Sequence, residues 1–120
     1  MPPHPRVVNV KAEGGLPRGA VYVGRSNPAY RLGRSKFANP YRPGSDGGRR
    51  EMIHLYADRL AGRPALLDAA RHDLAGRRLA CWCVPSPCHA SVLAYVADGL
   101  DPAEAAARTL EGEAEQGSLL

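Results

Sequence analysis

The stretch Leu79-Ala80-Cys81-Trp82-Cys83-Val84-Pro85-Ser86-Pro87-Cys88-His89 decides how this chain is read. Leu79 to Val84 has the apolar, strand-type composition of a buried β-strand. Ser86 and Pro87 then read as the N-cap and first position of a helix that reaches about Asp98. A strand that runs directly into a helix is the building unit of a parallel α/β sheet. All three cysteines of the chain, and one of its four histidines, fall within nine positions of this junction. Thiols and an imidazole gathered there mean either chemistry or metal.

Alternation along a strand puts Cys81 and Cys83 on one face and Trp82 on the other. Cys88 falls at the second helical position and His89 at the third, where unpaired N–H groups and the helix dipole stabilise a thiolate. His89 lines up with Val92, Leu93 and Val96 at helical spacing, so its ring turns toward the sheet. Three readings compete. Cys83 or Cys88 acts as a nucleophile with His89 as its base. Alternatively, Cys81, Cys83, Cys88 and His89 bind zinc as a Cys3His set. In the third, the residues only build the core and start the helix. The spacing C-x-C-x4-C-H departs from the paired C-x2-C of zinc knuckles, which ranks metal second and leaves no cofactor expected. Cys81, in the strand interior, is expected to be the most buried thiol.

Upstream, Ala20-Val21-Tyr22-Val23 is a second strand, closed by Gly24, and Arg6 to Val10 a third candidate. Ligands of open α/β sheets sit beyond the carboxyl ends of the strands. Arg25, leaving the sheet after Gly24, is therefore a candidate anion anchor, provided that its strand runs parallel to Leu79–Val84. The segment from Arg25 to Gly48 is long and irregular, rich in turn residues, and has room for a further short strand. Within it Lys36 and Asn39 are ligand-binding candidates, a cation for phosphate and an amide for a base or sugar. A cap on a local turn is an equal reading of Asn39. Ile53, Tyr56, Ala57 and Leu60 recur at helical spacing between Gly48 and Gly62. Pro64 opens another helix, with Leu67, Ala70 and Leu74 as its buried stripe and Gly76 as its cap. Asp101-Pro102-Ala103-Glu104 is a capping box that opens a last short helix.

These elements predict one three-layer, Rossmann-like α/β domain over residues 6–110, with parallel strand pairs, a frayed N-terminus (1–5) and a loose acidic tail (111–120). No apolar run approaches the ~20 residues that cross a bilayer, and no signal peptide is visible. Three clustered cysteines make a poor disulfide framework and fit a reducing cytoplasm. Charge is segregated: residues 1–50 carry a net +8, residues 51–78 a net +1 and residues 79–120 a net −5, which together give the net +4 of the chain. The basic part, with Arg25, Arg31, Arg34 and Lys36 in one loop, fits an anionic partner.

Several of these motifs, in order, resemble one family. Val21-Tyr22-Val23-Gly24-Arg25, Ser35-Lys36-Phe37-Ala38-Asn39-Pro40-Tyr41, Arg49 to Tyr56, and Leu79 to Pro85 with Cys88-His89 and Leu93 are similar to a small bacterial and phage family known as domain of unknown function 4326. The resemblance covers about residues 6–99. In that family a glycine often precedes the asparagine, where this chain has Ala38. The Cys-His element is also similar to that of another α/β family ending in Cys-His-Arg. Ala90 stands at the arginine position, so a second anion contact is not carried over. The resemblance implies an α/β fold, a site at these motifs, and an association with phages and nucleotide metabolism. It implies no reaction. The residues then point to an intracellular enzyme or binding domain for a phosphorylated, nucleotide-like small molecule, with electrostatic contact to nucleic acid a further possibility. The alternatives are a zinc-stabilised nucleic-acid-binding module and a protein-interaction module that uses its helices.

Overall fold

Leu79, Ala80 and Cys81 form the centre of the sheet and are all buried. The computed structural model describes residues 4–41, 47–82 and 88–118, with 112–118 described by their backbone. Three strands, β1 (Val7–Asn9), β2 (Val21–Tyr22) and β3 (Leu79–Cys81), pair in the order β1-β3-β2, both pairs parallel. The register sets Val7 and Val21 on either side of Leu79. A central strand flanked on both sides is apolar throughout, and this explains the unbroken hydrophobic run at 79–81. Five α-helices accompany the sheet among the described residues: α1 (Val10–Glu13), α2 (Arg49–Ala61), α3 (Pro64–Asp73), α4 (His89–Ala97) and α5 (Pro102–Ser118). The expected mixed α/β domain with parallel strand pairs is the observed one.

Helix α4 is apolar on nearly every side, as befits a helix enclosed by others. It lies against β1 and β3, while α2, α3 and α5 pack around it. The predicted face of α2 is buried in full at Ile53, Tyr56, Ala57 and Leu60, together with Met52. Gly48 and Gly62 bound this helix and Pro64 opens the next, as their chemistry requires. No helix among the described residues is long and apolar enough to cross a membrane.

Several boundaries differ from expectation. The strands are shorter than read, and Val84 lies outside the described residues. Among the described residues no fourth strand joins the sheet; the 25–41 segment instead holds a 3-10 turn, Pro28–Tyr30, closed by a bridge between Asn27 and Leu32. Residue 10 leaves the strand because Asn9 caps α1, its side chain accepting from the N–H groups of Lys11 and Ala12 at 2.9 and 3.2 Å. Gly14 ends that turn with φ 75°. Helix α4 starts at His89 with Cys88 as its N-cap, so both residues sit two places earlier in the helix than expected. The extended backbone of Cys88 (φ −142°, ψ 148°) excludes it from the first turn. Asp101 does cap α5, accepting from the Glu104 N–H at 2.9 Å. That helix is not short, because the Ala- and Glu-rich run beyond it favours helix as far as Ser118. His4, expected in a frayed terminus, is buried. It hydrogen-bonds Asp98 at 2.7 Å through Nε2 and accepts from the Arg6 N–H at 3.1 Å through Nδ1. Met1 to Pro3 lie outside the described residues.

Candidate functional site

Because β2 and β3 are parallel, their carboxyl ends share one rim. Val23 continues the pairing by donating its N–H to the Ala80 carbonyl at 3.1 Å, after which Gly24 and Arg25 leave the sheet. The first residue of α4 sits directly above: His89 Nε2–H donates to the Val23 carbonyl at 2.7 Å. The Trp82 carbonyl is fixed from the other side by Asn9 Nδ2, 3.1 Å away. Around this rim lies a cavity of about 360 Å³. Arg25, Asn39, Cys81, Cys88 and His89 all line it, as do Tyr22, Tyr41, Trp82 and, from the start of α2, Arg49, Met52 and Ile53.

A chain of hydrogen bonds frames the cavity, and a further contact supports His89 from behind. Trp82 Nε1–H donates to Tyr22 Oη at 2.7 Å, and the Tyr22 hydroxyl donates onward to the Arg25 carbonyl. A Cβ on residue 24 would lie 2.5 Å from the Tyr22 hydroxyl oxygen, so any other residue there would displace the Tyr22 ring from its two hydrogen bonds. Arg25 in turn donates Nε–H to the Asn39 carbonyl at 3.0 Å and Nη2–H to the Tyr41 carbonyl at 2.7 Å. Its guanidinium therefore binds the 39–41 loop to the sheet rim. Behind His89, Tyr56 Oη–H donates to the Phe37 carbonyl at 2.7 Å, and its ring packs edge-on against His89, centroids 5.0 Å apart. Burial pushes the Tyr56 phenol far above its ordinary range, so it serves as a permanent donor.

His89 is held neutral. Burial lowers its pKa from 6.5 to about 4; the Val23 hydrogen bond opposes the shift and the Arg25 charge adds to it. A carbonyl oxygen only accepts, so Nε2 carries the proton and Nδ1 carries the lone pair. That lone pair lies 3.6 Å from Cys88 Sγ, which is itself 3.2 Å from Cys81 Sγ. The site thus contains a thiol–imidazole pair in which a backbone carbonyl orients the ring, the arrangement that nucleophile activation uses.

The outcome for each sequence-derived candidate is definite where the residue is described. Arg25, Cys88 and His89 converge on one rim. Asn39 lines the cavity, and its side chain also makes the local turn foreseen for it: Oδ1 accepts from the Tyr41 N–H at 3.0 Å. Lys36 lies elsewhere, paired with Asp73 at 3.1 Å beside a separate groove. Cys83, with the Ser86-Pro87 helix start, lies outside the described residues. Cys88 is as buried as Cys81, each 1 % exposed, so burial does not rank their reactivities as expected. Of the four zinc candidates, Cys81, Cys88 and His89 come together. Among the described residues, however, no group of three or more Cys, His, Asp or Glu side chains is arranged to hold a metal ion. Tyr22 and Trp82 are site residues that the sequence did not reveal. Strand alternation put Trp82 on the face opposite Cys81, but it follows the last paired residue of β3, where alternation no longer applies.

Fold and site together define a small all-parallel α/β domain with a thiol–imidazole pair in a cavity at the carboxyl edge of its sheet. The family model described as "Domain of unknown function (DUF4326)" matches residues 8–99, and the chain belongs to that family. No curated protein and no solved structure matched the chain.

Proposed function

We propose that the cavity binds a phosphorylated, nucleotide-like small molecule in the cytoplasm, with the Cys88–His89 pair positioned to act on it. One observation carries this reading: two arginines, Arg25 and Arg49, line the cavity beside the Cys88–His89 pair. Arginine charge at the carboxyl rim of a parallel sheet, flanked by the first turns of α2 and α4, favours an anion. The volume falls in the range of small-molecule sites. Tyr22, Tyr41 and Trp82 supply flat apolar surface for a ring, and the Asn27 and Asn39 amides supply polar partners.

Isothermal titration of the purified chain with AMP, GMP, ribose 5-phosphate, adenosine and inorganic phosphate tests the proposal. A nucleoside monophosphate is expected to bind most tightly, and Arg49→Gln to weaken it at least tenfold while leaving adenosine unchanged. Loss of a charge-assisted contact is worth about 1.5–3 kcal/mol, which is consistent with that factor. Equal, weak affinity for all five would overturn the reading. One zinc per chain in elemental analysis would instead favour the zinc-stabilised nucleic-acid-binding module.

A further inference from the structure

We infer that the edge of the sheet opposite the cavity is a docking surface for the phosphate backbone of a nucleic-acid duplex. Parallel strands place all their starts on one side, and in this chain arginines precede each start: Arg6 before β1, Arg18 before β2, and Arg77-Arg78 before β3. Adjacent strands lie about 4.8 Å apart, so the three starts fit within an edge about 10 Å wide.

Three of these guanidinium groups, those of Arg6, Arg77 and Arg78, are held in place by backbone oxygens. Arg77 donates Nη2–H to the Gly19 carbonyl at 3.1 Å, and Arg78 donates Nη2–H to the Arg18 carbonyl at 2.8 Å. Arg71, on α3, donates to the Leu100 carbonyl, just past the end of α4, at 3.2 Å. Arg18 occupies the corner of a turn closed by the Ala20 N–H on the Pro17 carbonyl (3.1 Å), with Gly19 at φ 82°. Only glycine adopts that angle without strain. Among the described residues no carboxylate pairs with Arg18, Arg71, Arg77 or Arg78, and all four are exposed. Asp98 is engaged by Arg6 and His4, and Asp73 by Lys36 and His72. Like charges along one edge repel one another, and a polyanion relieves that repulsion. Carbonyl anchoring fixes Arg71, Arg77 and Arg78 without neutralising their charge, which suits contact with successive phosphates. The chain between Pro17 and Val21 and the strand starts contribute no aromatic ring to this edge, so a stacked single strand gains little there and a duplex backbone is the fitting partner.

Fluorescence anisotropy of the full chain with a labelled 24-base-pair DNA duplex of mixed sequence tests this. With about three phosphate contacts, affinity should fall ~40-fold between 50 and 200 mM salt. The double variant Arg18→Gln/Arg78→Gln should lose at least tenfold in affinity and show a shallower salt dependence. Because Arg78 also braces the Arg18 carbonyl, Arg18→Gln alone provides a second reading and should lose about threefold; melting curves verify that both variants fold. Arg31→Gln/Arg34→Gln, in the exposed loop, should bind within twofold of the parent. The inference is overturned if the edge variants bind as the parent does, if the loop variant loses binding instead, or if phosphatidylserine vesicles compete the duplex off at equal anion concentration.

Discussion

Because the Nε2–H of His89 points at the Val23 carbonyl, 2.7 Å away, the basic nitrogen of this ring is Nδ1, beside the Cys88 sulfur. Protonating it places a charge in a buried site that Arg25 already makes positive. The folded-state pKa of about 4 lies below the ordinary 6.5, so between those values the unfolded chain binds the extra proton. Stability contributed by the neutral ring is therefore complete above pH 6.5 and is lost as pH falls toward 4. The shift corresponds to about 2–3 kcal/mol between pH 7 and 4.5. His89→Gln keeps an N–H for Val23 but cannot titrate. Urea denaturation at the two pH values should show that much less acid sensitivity in the variant, and identical losses in both proteins would refute the assignment. The same linkage joins site and ligand: an anion that offsets Arg25 should raise the His89 pKa, visible as an upward shift of its imidazole titration by NMR.

At the scale of the elements, α4 combines packing with the site. Its third residue, Ser91, is 1 % exposed, and Oγ has no hydrogen-bond partner among the described residues. A buried hydroxyl left unpaired costs about 1–3 kcal/mol, and alanine is also the better helix former. Ser91→Ala should therefore raise stability by about 1 kcal/mol and the melting temperature by about 4 °C. A lower melting temperature would mean that the hydroxyl does have a partner. Elements with strong periodic or capping signals were legible in the sequence: the buried face of α2, the Pro64 start of α3 and the Asp101 cap of α5. Helix α1 was not, because four residues carry no periodicity and Val7 to Val10 reads as strand until the Asn9 cap is seen. The site was half legible. Cys88, His89 and Arg25 stood out by residue type and position, but their meeting depended on strand direction, which no local pattern encodes. Lys36 was misplaced for the related reason that loop residues 25–41 follow tertiary contacts such as Asp73 and Tyr56 rather than a repeat.

Taken as a whole, the molecule depends on contacts between distant parts of the chain. β1 and β2 do not pair with each other; each pairs with β3 between them. The buried His4 and the half-buried Arg6 likewise reach across the fold to Asp98, whose carboxyl they hold below its usual range against the opposing effect of burial. A fragment ending at residue 75 retains both edge strands, α2 and α3, yet lacks the strand that joins them and the helix they pack upon. That fragment should show no cooperative melting transition and a collapsed amide dispersion in its NMR spectrum; a cooperative unfolding curve would contradict the reading of β3 as the centre of the fold.

The order of the strands also sets a timetable. Leu79 lies 72 positions beyond its partner Val7 in the register. At a synthesis rate of about 5–20 residues per second, β1 emerges roughly 4–14 s before the strand that will cover its edge. For that interval the nascent chain presents unpaired strand edges to its surroundings, and its exposure to chaperones or to aggregation is governed by the speed of the ribosome.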